Sequence, residues 1–199
     1  MIWIRRLEPS GLVHDVSTLE GPGTDSRPKT RPRYHTIVAI VEDKPGVLMR
    51  IASLFARRGY NIESLTVGET ESPKFSRMTI TLRAEEKVIE ALKQGLRKFV
   101  NVAKVLDFTG IDHVERDLAL IKLNTPGGAR QEILELVQVF EGKIVDIGLK
   151  DIMIELVGPE SKIEAFLNVV RPYGIKEMVR TGRLAMARGT GMEGREADA

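Results

Sequence analysis

Thr36-Ile37-Val38-Ala39-Ile40-Val41-Glu42-Asp43-Lys44-Pro45-Gly46-Val47-Leu48 changes character at its middle. Its first six residues form a short apolar run, the pattern of a central strand. Beyond Pro45-Gly46, the residues Val47, Leu48, Ile51, Leu54 and Phe55 recur at helical spacing, with Arg50, Arg57 and Arg58 off that stripe. Gly59 closes this helix. The segment therefore reads as a strand, a tight turn and an amphipathic helix.

Outward from it, Ile62–Val67 reads as a second strand, and Met78, Ile80 and Leu82 alternate with threonines as a third. Val88, Ile89, Leu92, Leu96 and Phe99 mark a helix, and Val102–Phe108 a fourth strand. The order is βαββαβ. It then repeats: strand Leu118–Leu123, a helix on Ile133, Leu134, Val137 and Phe140, strands Lys143–Leu149 and Ile152–Val157, and a helix on Ile163, Phe166, Leu167 and Val170. The last strand lies within Ile175–Ala187, broken near Gly182. Pro126-Gly127 echoes Pro45-Gly46. The expected fold is α+β, two tandem ferredoxin-like βαββαβ domains over residues 34–110 and 114–188. Each has an open sheet face and free edges, to be covered by packing between repeats or by dimerisation.

Residues 1–33 contain four of the nine prolines and three glycines and read as a flexible arm, whose Met1–Leu7 could add an edge strand in an assembly. Residues 189–199 contain three glycines and read as a disordered tail. The arm holds six Lys/Arg against four Asp/Glu, so the rest of the chain is charge-balanced. That gives no overall electrostatic footprint for nucleic acid. The middle strands 37–41 and 78–82 also lack the aromatics on which an RNA-recognition sheet stacks bases. There is no cysteine, which excludes disulfides, thiolate metal sites and cysteine nucleophiles. No apolar run suits a membrane span and no secretory signal opens the chain. The expected compartment is cytoplasmic.

Catalytic groups are sparse. His14, His35 and His113 are far apart at no metal-ligand spacing, so no metal is expected. Phosphate loops, dinucleotide fingerprints and nucleophile elbows are missing from the sequence. Glu85-Glu86 suits ordinary charge compensation at a helix start. The Asp43–Leu48 turn differs. Pro45 pre-sets a turn or first-helix φ, Asp43 can cap, and Gly46 leaves no Cβ in the way of an approaching group. Open N–H groups at Gly46, Val47 and Leu48 would favour a carboxylate. A well-formed helix start explains the same residues and, on physics alone, is the weightier reading. Asn61, after Gly59-Tyr60, could offer its amide to both ends of a zwitterion, or could be a turn residue. A zwitterion reader needs both devices together. An Asp at Gly46 is expected to keep the fold unless that glycine holds a positive φ.

The stretches Val41–Leu48, Arg58-Gly59-Tyr60-Asn61-Ile62-Glu63-Ser64-Leu65-Thr66-Val67, Ser76–Ile80 and His113–Asp117 resemble the small subunit of acetolactate synthase, over roughly residues 34–188. The resemblance implies an N-terminal ACT domain and an ACT-like second domain, with ACT domains paired edge to edge around an effector, usually valine. The sensing positions it implies are Asp43, Pro45, Gly46, Val47, Leu48, Asn61 and Ile62. Asp43 stands where asparagine is common, which changes the loop charge. The resemblance further implies a chain that is not an enzyme by itself and works as a homodimer or higher. Its partner would be a catalytic large subunit carrying thiamine diphosphate, magnesium and FAD, with no cofactor on this chain. The runner-up is a free-standing amino-acid sensor for another enzyme. An acylphosphatase-like enzyme ranks third, because the first loop lacks a phosphate-gripping arginine.

Overall fold

A computed structural model of the chain describes residues 33–189. The expected arm, except Arg33, and the expected tail, except Gly189, lie outside the described residues. Arg33 itself opens the first strand.

The first unit runs β1 (Arg33–Glu42), α1 (Val47–Arg58), β2 (Ser64–Glu69), β3 (Phe75–Ala84), α2 (Glu86–Arg97) and β4 (Val102–Asp107). The second runs β5 (His113–Asn124), α3 (Ala129–Val139), β6 (Lys143–Ile147), β7 (Asp151–Gly158), α4 (Glu160–Val170), β8 (Ile175–Arg180) and β9 (Leu184–Ala187). The sheet orders are β2-β3-β1-β4 and β6-β7-β5-β8, with β9 paired to the first part of β5. All pairs are antiparallel. Both units therefore have the ferredoxin-like arrangement expected from the repeat.

Period decides which side chains meet. Ile37, Ala39 and Val41 of β1 and Met78, Ile80 and Leu82 of β3 point to the helix side, where Ile51, Phe55, Ile89, Leu92 and Leu96 complete the core. The second core repeats this with Ala119, Ile121, Leu123, Ile152, Ile154 and Leu156 beneath Ile133, Val137, Ile163 and Phe166. Full burial of each large apolar side chain contributes about 1.5–3 kcal/mol.

Why β1 is apolar on both faces follows from the junction between the units. Val38, on the face away from the helices, is fully buried with Phe108 and Ala185, and Ile40, Leu106 and Ala187 pack around them. Strand β9 and the start of β5 thus cover the first sheet's open face. Of the two expected remedies, packing between repeats is the one the chain itself supplies.

Two local expectations shift, and the break near Gly182 is where it was expected. β2 starts at Ser64, not Ile62. The broken last strand is two strands, because Gly182 sits at φ +88° between them. The middle strands extend far enough to include Tyr34 and Phe75, yet Tyr34 lies under the guanidinium groups of Arg83 and Arg183, at 5.9 and 5.4 Å from its ring centre. His35 is buried and satisfied by Thr109 Oγ1 at 2.9 Å and the Ala84 carbonyl at 3.2 Å. No helix among the described residues is long and apolar enough to cross a membrane.

Candidate functional site at the first strand-to-helix turn

The Val47 N–H donates to the Lys44 carbonyl at 3.3 Å, closing a four-residue turn. Pro45 fixes its own φ near −65°, and Gly46 sits at φ +86°, ψ −9°. This combination is a type II β-turn, whose third residue must have positive φ. Pro45 therefore sets a turn, and α1 begins only after it. Gly46 is the N-cap, and no side chain caps the helix. Asp43 does not cap, contrary to expectation: it is exposed, and its N–H is tied to the Lys74 carbonyl at 2.9 Å.

The helix start is open. An added Cβ at Gly46 would meet nothing within 4 Å. The first turn of α1 holds no acidic residue. Val47 is spent structurally: its N–H closes the turn and its side chain is buried in the core. Among the described residues the N–H groups of Gly46 and Leu48 have no backbone acceptor, and Leu48 is 46% exposed. The usable donors are therefore Gly46 and Leu48, with Val47 removed from the expected set. Partial positive charge at a helix start favours an anion there.

A brace beneath the turn was not anticipated from sequence. Arg50 Nη1 donates to Asn101 Oδ1 at 3.0 Å, the Asn101 amide donates to Glu42, and Lys44 pairs with Glu42 at 3.1 Å. The Asn101 amide, and then Lys44, hold the Glu42 carboxyl below its usual range. Glu42 thus stays ionised and keeps Lys44 from crowding the helix start. Asn101 lies in the turn before β4, distant in sequence, and no local pattern marks it.

Asn61 and Ile62 are elsewhere. They follow Gly59, the C-cap of the 12-residue α1, whereas Gly46 is its N-cap. At 1.5 Å per residue the two ends are about 18 Å apart. Asn61 is exposed, and Ile62 packs against the first core. Within one chain the structure does not bring the amide to the turn. It does leave β2 as an edge strand, parallel to β1 because both run antiparallel to β3.

The remaining polar clusters are self-neutralising. Glu86, Glu90 and Asp107 gather carboxylate oxygens within 4.8 Å of one another, but Arg33 pairs with Glu86 and Lys93 pairs with both others.

Comparison with known proteins agrees with this architecture. Residues 37–104 match the family described as "AHAS small subunit-like ACT domain", and residues 116–189 the family "Small subunit of acetolactate synthase". The chain is 49% identical over 155 residues to the "Probable acetolactate synthase small subunit" of Archaeoglobus fulgidus, spanning 78% of this chain and 97% of that one. It is 44% identical over 155 residues to the "Acetolactate synthase small subunit" of Mycobacterium leprae, spanning 78% and 92%. The crystal structure of the acetolactate synthase small subunit from Thermotoga maritima superposes with a TM-score of 0.72 at 42% identity, covering 79% of this chain and 98% of that one. The chain belongs to the family of acetolactate synthase small subunits.

Proposed function

We propose that the chain is a regulatory subunit. It binds a branched-chain amino acid, valine foremost, and sets the activity of a separate catalytic chain, raising it and making it inhibitable. The observation that carries this reading is the uncapped, acid-free start of α1 behind a type II turn. The effector carboxylate accepts the N–H groups of Gly46 and Leu48. Its ammonium is offered Asp43, and its apolar side chain the exposed Leu48. Thiamine diphosphate, magnesium and FAD belong on the catalytic partner, and both chains work in the cytoplasm.

Asn61 enters this site from a second copy. Antiparallel pairing of two β2 edges sets the beginning of one strand against the end of the other. The partner subunit's Asn61 then arrives at the Gly46 end of α1. This arrangement covers the free edge and builds two equivalent sites per dimer.

The test is complementation. Gly46→Asp and Asn61→Ala homodimers should each bind valine at least about tenfold more weakly than the parent, a loss of about 1.4 kcal/mol or more. A purified heterodimer of the two variants should recover parental affinity at half the parental stoichiometry in calorimetric titration, because one of its two sites is intact. No recovery would mean that Asn61 does not complete the site across the dimer. A parent chain that binds neither valine, leucine nor isoleucine would sink the effector reading.

A further inference from the structure

β2 is gripped, on the sheet face away from the helices, by the turn between β8 and β9. Thr66 Oγ1 donates to the Arg183 carbonyl at 3.1 Å, and Ser64 Oγ accepts from the Arg183 N–H at 3.4 Å. The turn that presents Arg183 is fitted closely to the strand. Gly182 has φ +88°, and a Cβ there would lie 3.1 Å from Thr66 Oγ1 and 3.2 Å from Ser64 Cβ. The φ of Gly182 favours glycine, and any side chain there would also push Thr66 and Ser64 aside by a few tenths of an ångström.

Beyond the grip, the second unit is tied to the same point. The Arg183 side chain, 10% exposed, pairs with Glu160 at the start of α4 and reaches Glu115 of β5 at 3.7 Å. The Gly182 N–H donates to Asp117 of β5 at 3.2 Å, and Arg180 holds the same carboxylate at 2.6 Å. A cleft of about 850 Å³ opens beside these contacts, lined from both units. At this flank the units therefore meet through discrete hydrogen bonds and not through continuous packing.

We infer that the Ser64/Thr66 contact with Gly182-Arg183 is the link by which effector occupancy reaches the second domain. The inference rests on the effector reading above. Ser64 opens β2 three residues after Asn61, and the intervening Glu63 is tied to β3 by its N–H on the Thr81 carbonyl at 2.9 Å, so a pull on the Asn61 amide is delivered first to the start of β2. The two hydroxyls pass it to the Gly182-Arg183 backbone, and Arg183, Glu160 and Asp117 pass it to α4 and β5. Ser64 and Thr66 are positioning residues. They touch no effector.

The experiment uses the full chain assembled with its catalytic subunit. Thr66→Val keeps the shape and removes the donor, Ser64→Ala removes the acceptor, and Thr66→Ser keeps the hydroxyl. For the double variant, valine affinity of the isolated chain should stay within about twofold of the parent, while the valine concentration that half-inhibits the complex rises at least about tenfold. Thr66→Ser should respond like the parent, a rescue that a merely structural role would not give. If the double variant loses its cooperative thermal melt, Thr66→Val alone is scored by the same two measurements. Unchanged inhibition overturns the link while leaving the effector site standing. Loss of valine binding in the variant also overturns it, because the hydroxyls would then belong to the site. A parent that binds no branched-chain amino acid removes the effector reading, and the link with it.

Discussion

At the first strand-to-helix turn, Asp43 donates to the Lys74 carbonyl at 2.9 Å and Val47 to Lys44 at 3.3 Å. At the second, Thr125 donates to Lys150 at 3.0 Å and Ala129 to Pro126 at 2.9 Å. Gly128 takes φ +86°, ψ −19°, against +86°, −9° at Gly46. The backbones are the same device, yet the side chains on them differ in kind. Where the first turn has the exposed Leu48, the second has Arg130, whose guanidinium donates to the carbonyls of Gly148 at 2.6 Å and Leu149 at 3.1 Å. Glu132 stands in the first turn of α3, while α1 has no acid there. In place of the exposed Asp43 the second turn has Thr125, whose Oγ1 is buried without a partner among the described residues. A carboxylate approaching α3 meets Glu132 and a crossing arginine; one approaching α1 meets open N–H groups. The two helix starts share one backbone, and only their side chains distinguish the open one from the crossed one.

The largest effect should come from the two cores on which the turns rest. Phe55→Ala and Phe166→Ala each empty a fully packed position, at 1% and 0% exposure. Each should cost about 3–5 kcal/mol in denaturant unfolding. Because the units share the Val38–Phe108–Ala185 cluster, either variant should shift one common transition. Two separate transitions would show that each turn rides on an independent body.

Next in size is the glycine pair. Gly46→Asp and Gly128→Asp both force a side chain into left-handed backbone, at about 1–2 kcal/mol each. Thermal melts should therefore fall by similar amounts, whereas valine titration should change only for Gly46→Asp. Gly46→Asn isolates conformation from charge and should retain more binding than the aspartate. Equal loss of binding at both glycines would erase the distinction between the turns.

The smallest effect is acid sensitivity in the first unit. Burial pushes the Asp107 carboxyl up, but hydrogen bonds from Thr109 and the Lys93 ammonium outweigh it, and the net result lies below the usual carboxylate value. A depressed folded value means stability present above the unfolded value, about 3.9, and lost as pH falls below it toward the folded one. Chemical unfolding of Asp107→Asn should thus show a flatter pH profile than the parent below pH about 4. An unchanged profile would remove Asp107 from the acid response.

Much of this was legible in residue spacing. The apolar period of 3.6 around Ile51 and Phe55 and of two around Met78, Ile80 and Leu82 marks helices and strands, and their recurrence after residue 113 marks the duplication. The turn was legible only in part. Pro45-Gly46 suits either a proline in the first helical turn or a type II turn, and the positive φ of Gly46 decides. That decision also makes Gly46→Asp a backbone change as well as a charge change. The repeat of Pro-Gly misled by one place, since the structural counterpart of Gly46 is Gly128 and not Gly127. The twelve residues of α1 separate Asn61 from the turn, so the two devices do not meet within one chain. The Asn101 brace and the Arg183 grip were invisible because both join segments far apart in sequence.

The cover over the first sheet also carries a consequence for biosynthesis. Val38 and Phe108 are sealed by Ala185, which is translated long after both. At about 5–20 residues per second, the stretch from residue 108 to residue 185 takes roughly 4–15 s to make. During that interval the nascent first unit has its helices in place over one face of the sheet and an apolar strip bare on the other. Only when β9 emerges is the residue that seals this strip available.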